Sequence, residues 1–245
     1  MTNAGADAAE TTVIPVSAQA GLMTAIVFLT YMGQMILNPI IAPLSREMGL
    51  REWHVGATIS LAAIVLASFS AYWGRASQRL GVKRVLVTGM LIAVVALSAF
   101  SVISSLGVNR ILTGFSLIIA VMVTRGLLYG AGISAVAPTA QAHLVTHIDS
   151  EVGRVKALGM IGAAQGIASV VGGIFGGILA ALGGLLLPLA VMPAVMLIGI
   201  FVLIFKFRPQ EGTQLIKRPK HIRFTDPRIR PWLIGGLFMF LVFLH

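Results

Sequence analysis

The chain has 245 residues, of which 57% are hydrophobic and only 11% charged, and its mean hydropathy is +0.94. This composition is too apolar for a domain that faces water on every side, and it indicates a membrane protein. The net charge of +10 does not indicate a nucleic-acid partner, because the basic residues lie in the connections between apolar spans. Cysteine is absent, which excludes a disulfide framework and a thiolate metal site.

Residues 1–20 contain Asp7 and Glu10 but no Lys or Arg. They therefore lack the basic region of a signal peptide, and we expect a disordered tail on the cytoplasmic side. Six apolar spans follow within residues 21–207. Each is long enough, at about 1.5 Å per residue, to cross a hydrocarbon core about 30 Å thick. We place the spans at about 21–43, 54–73, 85–106, 111–136, 157–182 and 184–207.

The first span carries a polar stripe. Tyr31, Gln34 and Asn38 recur at i, i+3 and i+7, which places them on one helix face. Pro39 and Pro43 are expected to bend or end the outer half of this helix. A polar stripe within a span predicts a bundle interior or a water-filled cavity.

A basic stretch, Gly74–Arg84, connects the second and third spans and has four positive charges and no negative one. Because Arg or Lys at bilayer depth costs about 2.5–3.5 kcal/mol, we expect a short loop in water. The simplest interpretation is a loop that only fixes the orientation of the chain in the membrane. The positions that give this stretch its pattern are Gly74, Gln78, Arg79, Gly81 and Lys83.

This pattern resembles the loop between helices 2 and 3 of the major facilitator superfamily of transporters, which reads Gly-x-x-x-Asp-Arg-x-Gly-Arg-Arg/Lys. The resemblance implies a cytoplasmic gate, in which the loop engages helix ends of the other half of the transporter. Gln78 stands where the family has Asp, and Val82 where it often has Arg. Since Gln78 hydrogen-bonds but carries no charge, the lock is expected to be weaker here.

The fourth span contains Arg125 near its middle, whereas no Asp or Glu lies inside any span. Tyr129 and Gly132 follow at i+4 and i+7 on the same face. A buried arginine held by carbonyl groups is one interpretation, and a cation lining a cavity is the one that we favour. The corresponding helix of the family has an Arg followed by a Gly-x-Gly pair, and here Gly130 and Gly132 come one position later than usual.

Proton coupling needs a titratable group within the membrane, normally a carboxylate, and these spans supply none. Three histidines, His54, His143 and His147, lie at span ends or in connections. We expect them to be interfacial or solvated and not proton carriers.

The fifth span is rich in small residues at helical spacing, which predicts close packing between helices. Part of it resembles the fifth-helix signature of facilitator-superfamily antiporters, Gly-x-x-x-Gly-Pro-x-x-Gly-Gly, with Gly173 in place of the proline and Ala168 in place of the first glycine. The glycines assigned to packing are Gly162, Gly166, Gly172, Gly173, Gly176 and Gly177.

The rest of the chain is basic and then apolar again. Residues 208–230 predict a basic cytoplasmic linker, and residues 231–245 begin a seventh apolar helix that stops short of the roughly 20 residues a span needs. We therefore expect the natural chain to continue into a second, carboxy-terminal half. Most Lys and Arg residues follow spans two, four and six, which places that side and the amino terminus in the cytoplasm of a multi-pass protein.

Together these features resemble the amino-terminal half of a facilitator-superfamily exporter, similar to bacterial drug and tetracycline efflux antiporters. The resemblance implies an all-α bundle of two inverted three-helix repeats in the plasma membrane, without enzymatic activity or a cofactor. It implies proton-coupled export of small amphipathic compounds through a cavity lined by Tyr31, Gln34, Asn38, Arg125 and Tyr129. The alternatives are an importer of a nutrient or organic anion with the same fold, and a membrane half-protein that does not transport.

Overall fold

The computed structural model describes residues 16–148 and 150–207, and all of their regular structure is helical. The predicted linker 208–230 and seventh helix 231–245 lie outside the described residues, as do residues 1–15 of the predicted tail. The first helix begins at Val16, inside the segment expected to be a tail. The elements are α1 Val16–Met35, α2 Ile41–Glu47, α3 Glu52–Leu80, α4 Val82–Val108, α5 Gly114–Val121, a π-helical segment Met122–Leu128, α6 Tyr129–Ile133, α7 Val136–His147, α8 Glu151–Gly183 and α9 Leu186–Lys206.

Five described helical stretches are long and apolar enough to cross a membrane, and Ala20–Met35 is a shorter apolar helix. In chain order these six stretches overlap the six predicted spans, and five of them are long enough to cross a membrane. The fourth one is continuous from Gly114 to His147, which is longer than predicted. The polar connection expected after it is therefore only Ile148–Ser150, and the Ser150 hydroxyl accepts a hydrogen bond from Gly153 N at 2.9 Å to start α8.

The helices pack into a bundle with an inner and an outer set. α1 packs against α8 and α9, α4 packs against α9 and α6, and α3 packs against the π segment and α6. The main apolar core is built from α1, α4, α9 and the α5–α7 stretch. In contrast, only 11% of the most apolar part of α3 and 17% of that of α8 is buried, against 44–50% for the three other long spans. α3 and α8 thus present apolar faces outward.

The helix of the first span is interrupted around Pro39, as the sequence predicts. α1 ends at Met35, residues 36–40 form turns around Pro39, and α2 follows. Pro43 lies in the first turn of α2, where its missing N–H has no helical partner to lose.

The prediction that Gly74–Arg84 forms a loop is wrong. α3 continues to Leu80, α4 begins at Val82, and Gly81 alone joins them, with φ 85° and ψ 148°. This positive φ is costly for residues with a side chain, which explains the glycine.

The bundle has two ends, the Gly81 end and the Gly49 end. The Gly81 end holds the α3–α4 turn, the α7–α8 connection and the last residues of α9, since the first turn of α4 contacts Phe207. The Gly49 end holds the α2–α3 connection and the α4–α5 connection, since Arg110 lies against Gly49.

Candidate functional site

The buried cation predicted in the fourth span lies in the π-helical segment. Arg125 is 8% exposed, and its Cζ stands 4.3 Å from the centre of the Tyr129 ring. This geometry is a cation–π contact between residues four apart. Among the described residues, neither Arg125 Nε nor the Tyr129 hydroxyl has a hydrogen-bond partner. Such buried polar atoms are costly for stability, which favours a functional use for them.

Two further polar side chains approach this pair from neighbouring helices. Tyr31 on α1 is half-buried and lies close to Tyr129, and the side chain of Gln165 on α8 faces the Tyr31 phenol. We call Arg125, Tyr129, Tyr31 and Gln165 the central polar cluster. Sequence reasoning missed Gln165, although an amide inside an otherwise apolar span was a usable signal.

The rest of the predicted stripe on the first span does not join this cluster. Gln34 is half-buried on α1. Asn38 is exposed and lies in the turn beyond α1, where its Nδ2 donates to Met35 Sδ at 3.0 Å. Because the helix ends at Met35, the i+7 relation that placed Asn38 on the same face no longer holds.

The π segment accounts for the unusual spacing between Arg125 and the glycine pair. A π-helical turn closes i→i+5 hydrogen bonds and so holds one residue more than an α-turn. An added Cβ at Gly130 would lie 2.9 Å from Ala62 O on α3, and one at Gly132 would lie 2.6 Å from Ala93 N on α4. Gly130 and Gly132 therefore lie in close contact with α3 and α4, respectively, although they come one position later than in the family pattern.

The close-contact face of α8 contains two of the six predicted packing glycines. An added Cβ at Gly172 would lie 2.8 Å from Met32 O on α1, and one at Gly176 would overlap Ile36 O in the turn directly after α1. Ala164 and Ala168 are buried on this same face, at steps of four. The other predicted packing glycines point to open space in the described part of the chain, namely Gly162, Gly166, Gly173 and Gly177.

The basic stretch divides into one anchored residue and an exposed group. Lys83 Nζ donates to Ile204 O at 2.9 Å and to Phe207 O at 3.0 Å, at the end of α9. Gln78 and Arg79 are exposed in the last turn of α3. A Cβ added at Gly74 would have no atom within 4 Å in the described part of the chain. Lys83 therefore contacts its own bundle, whereas Gln78 and Arg79 face outward.

A family model for the Major Facilitator Superfamily matches residues 23–244. The chain belongs to the Major Facilitator Superfamily. It is thus an integral membrane protein of a family of secondary transporters, which act on small molecules and are generally not enzymes. No curated protein matches the chain.

In this superfamily member a small cavity borders Arg125 toward the Gly49 end. Its volume is about 20 Å³, room for about one water molecule. His54 lines the same cavity, and its Nδ1 accepts a hydrogen bond from Arg51 N at 2.9 Å. Within residues 16–148 and 150–207, no group of three His, Asp or Glu side chains is placed to hold a metal ion.

His143 was expected to be interfacial or solvated, and the structure shows that it is not solvated. Its side chain is buried at 7% exposure, and neither ring nitrogen has a hydrogen-bond partner among the described residues. The reason is that α7 extends the fourth span to His147, so that His143 lies within the bundle and not in a connection.

Proposed function

We propose that this protein is a secondary active exporter that moves small amphipathic compounds or drugs by proton-coupled alternating access. The central polar cluster carries the proposal. A cation and a phenol buried among apolar spans, with a second phenol half-buried, are expensive to keep, and residues of this kind mark substrate or ion pathways. The resemblance of α8 to the fifth-helix signature of facilitator-superfamily antiporters supports the direction of transport.

In this proposal the substrate cavity is lined by Tyr31, Gln34, Arg125 and Tyr129, with Gln165 added. Four elements contribute, α1, the π segment, α6 and α8, so that a small relative movement of these helices would change the shape of the site. Phenol and amide groups give orientation to an amphipathic substrate, and the apolar walls supply most of its burial. Asn38 is left out because it lies beyond the end of α1.

We further propose that the bundle is built of two inverted three-helix repeats. The contact of α1 with α8 has its counterpart in the contact of α3 with the π segment and α6. The exposed apolar faces of α3 and α8 support a second six-helix unit as their partner, since transporters of this kind bind substrate between two halves.

Orientation follows from charge. The Gly81 end carries Arg75, Arg79, Lys83 and Arg84, and basic residues of short connections favour the cytoplasm. We therefore place this end and the amino terminus on the cytoplasmic side of the plasma membrane. Exposed Gln78 and Arg79 would then act as the gate toward the second unit.

The test combines two variants of the buried cation. Arg125→Ala is expected to leave the protein inserted but to lower transport and shift its pH dependence across about pH 6–8, with Arg125→Lys intermediate because it keeps the charge and loses the planar fork. Membrane abundance and substrate flux are measured together in proteoliposomes with an imposed pH gradient. Arg46→Ala is the matched control, because Arg46 is exposed and its ion pair with Glu52, at 3.4 Å, is solvated. Flux equal to wild type in Arg125→Ala at every pH contradicts the proposal.

A second candidate is an importer of an organic anion. The observation that favours it is that the described apolar spans contain no Asp or Glu beyond the exposed first residues Glu52 and Glu151, so none lies inside a span to neutralise Arg125, and a buried cation without a carboxylate attracts an anionic ligand. The direction of flux separates the two candidates. Uptake of an organic anion into the compartment that the Gly81 end faces supports import, and expulsion of an amphipathic compound from it supports export.

A further inference from the structure

The last turn of α9 is held by the first turn of α4. The final carbonyl groups of a helix have no intrahelical donors, and a cation near them is also favoured by the helix dipole. Lys83 meets both needs, since its ammonium group donates to Ile204 O and to Phe207 O at 2.9 and 3.0 Å. The residue after Phe207 begins the basic stretch 208–230 of the sequence.

The same residue, Phe207, is packed from the other side by a histidine. The rings of His143 and Phe207 meet edge to face with centroids 5.6 Å apart, and Phe207 is only 4% exposed. The ring of His147 lies 4.2 Å from that of His143. We call Lys83, His143 and Phe207 the α9 latch.

His143 contributes to this latch as an unpaired polar group. Its two ring nitrogens are buried without hydrogen-bond partners among the described residues. A neutral imidazole already leaves one donor unsatisfied there. A protonated ring would leave two donors unsatisfied and would add a positive charge.

The surroundings of the ring offer that charge little compensation. The packing partners of α7 include α1, α3, α4 and α8, and α1 has no charged residue between Ala20 and Met35. The one acidic residue at this end in the described part of the chain is Glu151, which is exposed on α8. The Arg154 Nε atom donates to Ile148 O at 2.6 Å. The basic residues of the Gly81 end are Arg75 and Arg79 on α3, Lys83 and Arg84 on α4, His147 on α7, Arg154 and Lys156 on α8, and Lys206 on α9.

We propose that His143 is a proton-binding site that controls the α9 latch. The neutral ring packs against Phe207 and keeps the end of α9 in place. A proton taken up from the aqueous phase at the Gly81 end makes the ring a cation among basic neighbours, so the ring leaves its site and Phe207 loosens. The inference goes beyond the proposed export, since it concerns regulation by pH at this end and holds for either direction of transport.

The absence of cysteine from the chain allows a direct test with a single spin label. Lys206 is exposed in the last turn of α9, so Lys206→Cys is labelled in the full chain in proteoliposomes. Electron paramagnetic resonance spectra are recorded between about pH 8 and about pH 3, a range that extends well to the acid side of the usual histidine titration. The expected result is a loss of the immobile spectral component as the pH falls.

Variants assign this response to one ring. His143→Phe keeps an aromatic ring without a titratable nitrogen and should hold the label immobile at every pH, and His143→Leu is the second non-titrating variant in case the first does not fold. His147→Gln should keep the response, and Lys83→Met should loosen the label at every pH. The proposal is overturned by a label that does not respond to pH in the wild-type background, by a response that persists in the His143 variants, or by its loss in His147→Gln.

Discussion

Replacing a glycine on the α1-facing side of α8 tests the closest helix contact of the bundle. In Gly172→Ala the new Cβ would lie 2.8 Å from both Met32 O and Met35 Cβ. Ordinary contacts begin near about 3.4 Å, so α1 and α8 must separate by about 0.6 Å, and two backbones cannot yield as a flexible side chain does. Overpacking of this kind costs about 1–3 kcal/mol, against about 0.5–1 kcal/mol gained from the better helix propensity of alanine.

The neighbouring glycines give a matched control. Gly173→Ala adds the same methyl group to the same helix, but its Cβ meets no atom within 4 Å in the described part of the chain. We therefore expect Gly172→Ala to lower the midpoint of thermal unfolding in detergent and Gly173→Ala to leave it unchanged or raise it. Gly176→Ala and Gly177→Ala form a second such pair with the same signs. Equal midpoints within both pairs would refute the assignment of the contact face.

Two other contacts give separate predictions, each read as a thermal unfolding midpoint. Gly132→Ala should destabilise the bundle by about 1–3 kcal/mol, because its Cβ would lie 2.6 Å from Ala93 N, and an unchanged midpoint would contradict the close crossing of α4 and α6. Trp73→Phe should cost about 1 kcal/mol for the lost hydrogen bond, since Trp73 Nε1 donates to Ala131 O at 2.8 Å, whereas Tyr72→Phe on the exposed side should cost nothing measurable.

Local patterns predicted the spans and the Arg125–Tyr129 pair. Hydropathy over about 20 residues reports membrane crossing directly, and residues four apart on a helix meet whatever the rest of the fold does. The same patterns did not distinguish a loop from a helix end that projects into water. The prediction for Gly74–Arg84 therefore identified a basic stretch between two apolar helices and assigned it the wrong local structure.

Features that depend on distant parts of the chain were not predicted. The predicted packing glycines cover more than one side of α8, and only the position of α1 selects Gly172 and Gly176. His143 stands among polar residues in the sequence, and its burial follows from the packing of α7 within the bundle and against Phe207. Gln165 carries a sequence signal as an amide in an apolar span, but its neighbour Tyr31 lies on α1, far away in the sequence.

Between Arg125 and its glycine pair, the fourth span has one residue more than the family pattern. This extra residue affects the direction in which the Arg125 side chain points. Gly130 and Gly132 are fixed by backbone contacts with α3 and α4 at 2.9 and 2.6 Å, so this part of the helix has no freedom to rotate. In an α-helix, inserting or deleting one residue rotates the side chains that precede it by about 100° around the helix axis. Arg125 lies within the π segment and is stacked on Tyr129, the residue that directly follows the segment. The widened turn and the buried cation are therefore one feature of the fold, in keeping with the frequent presence of π-helical turns at functional sites.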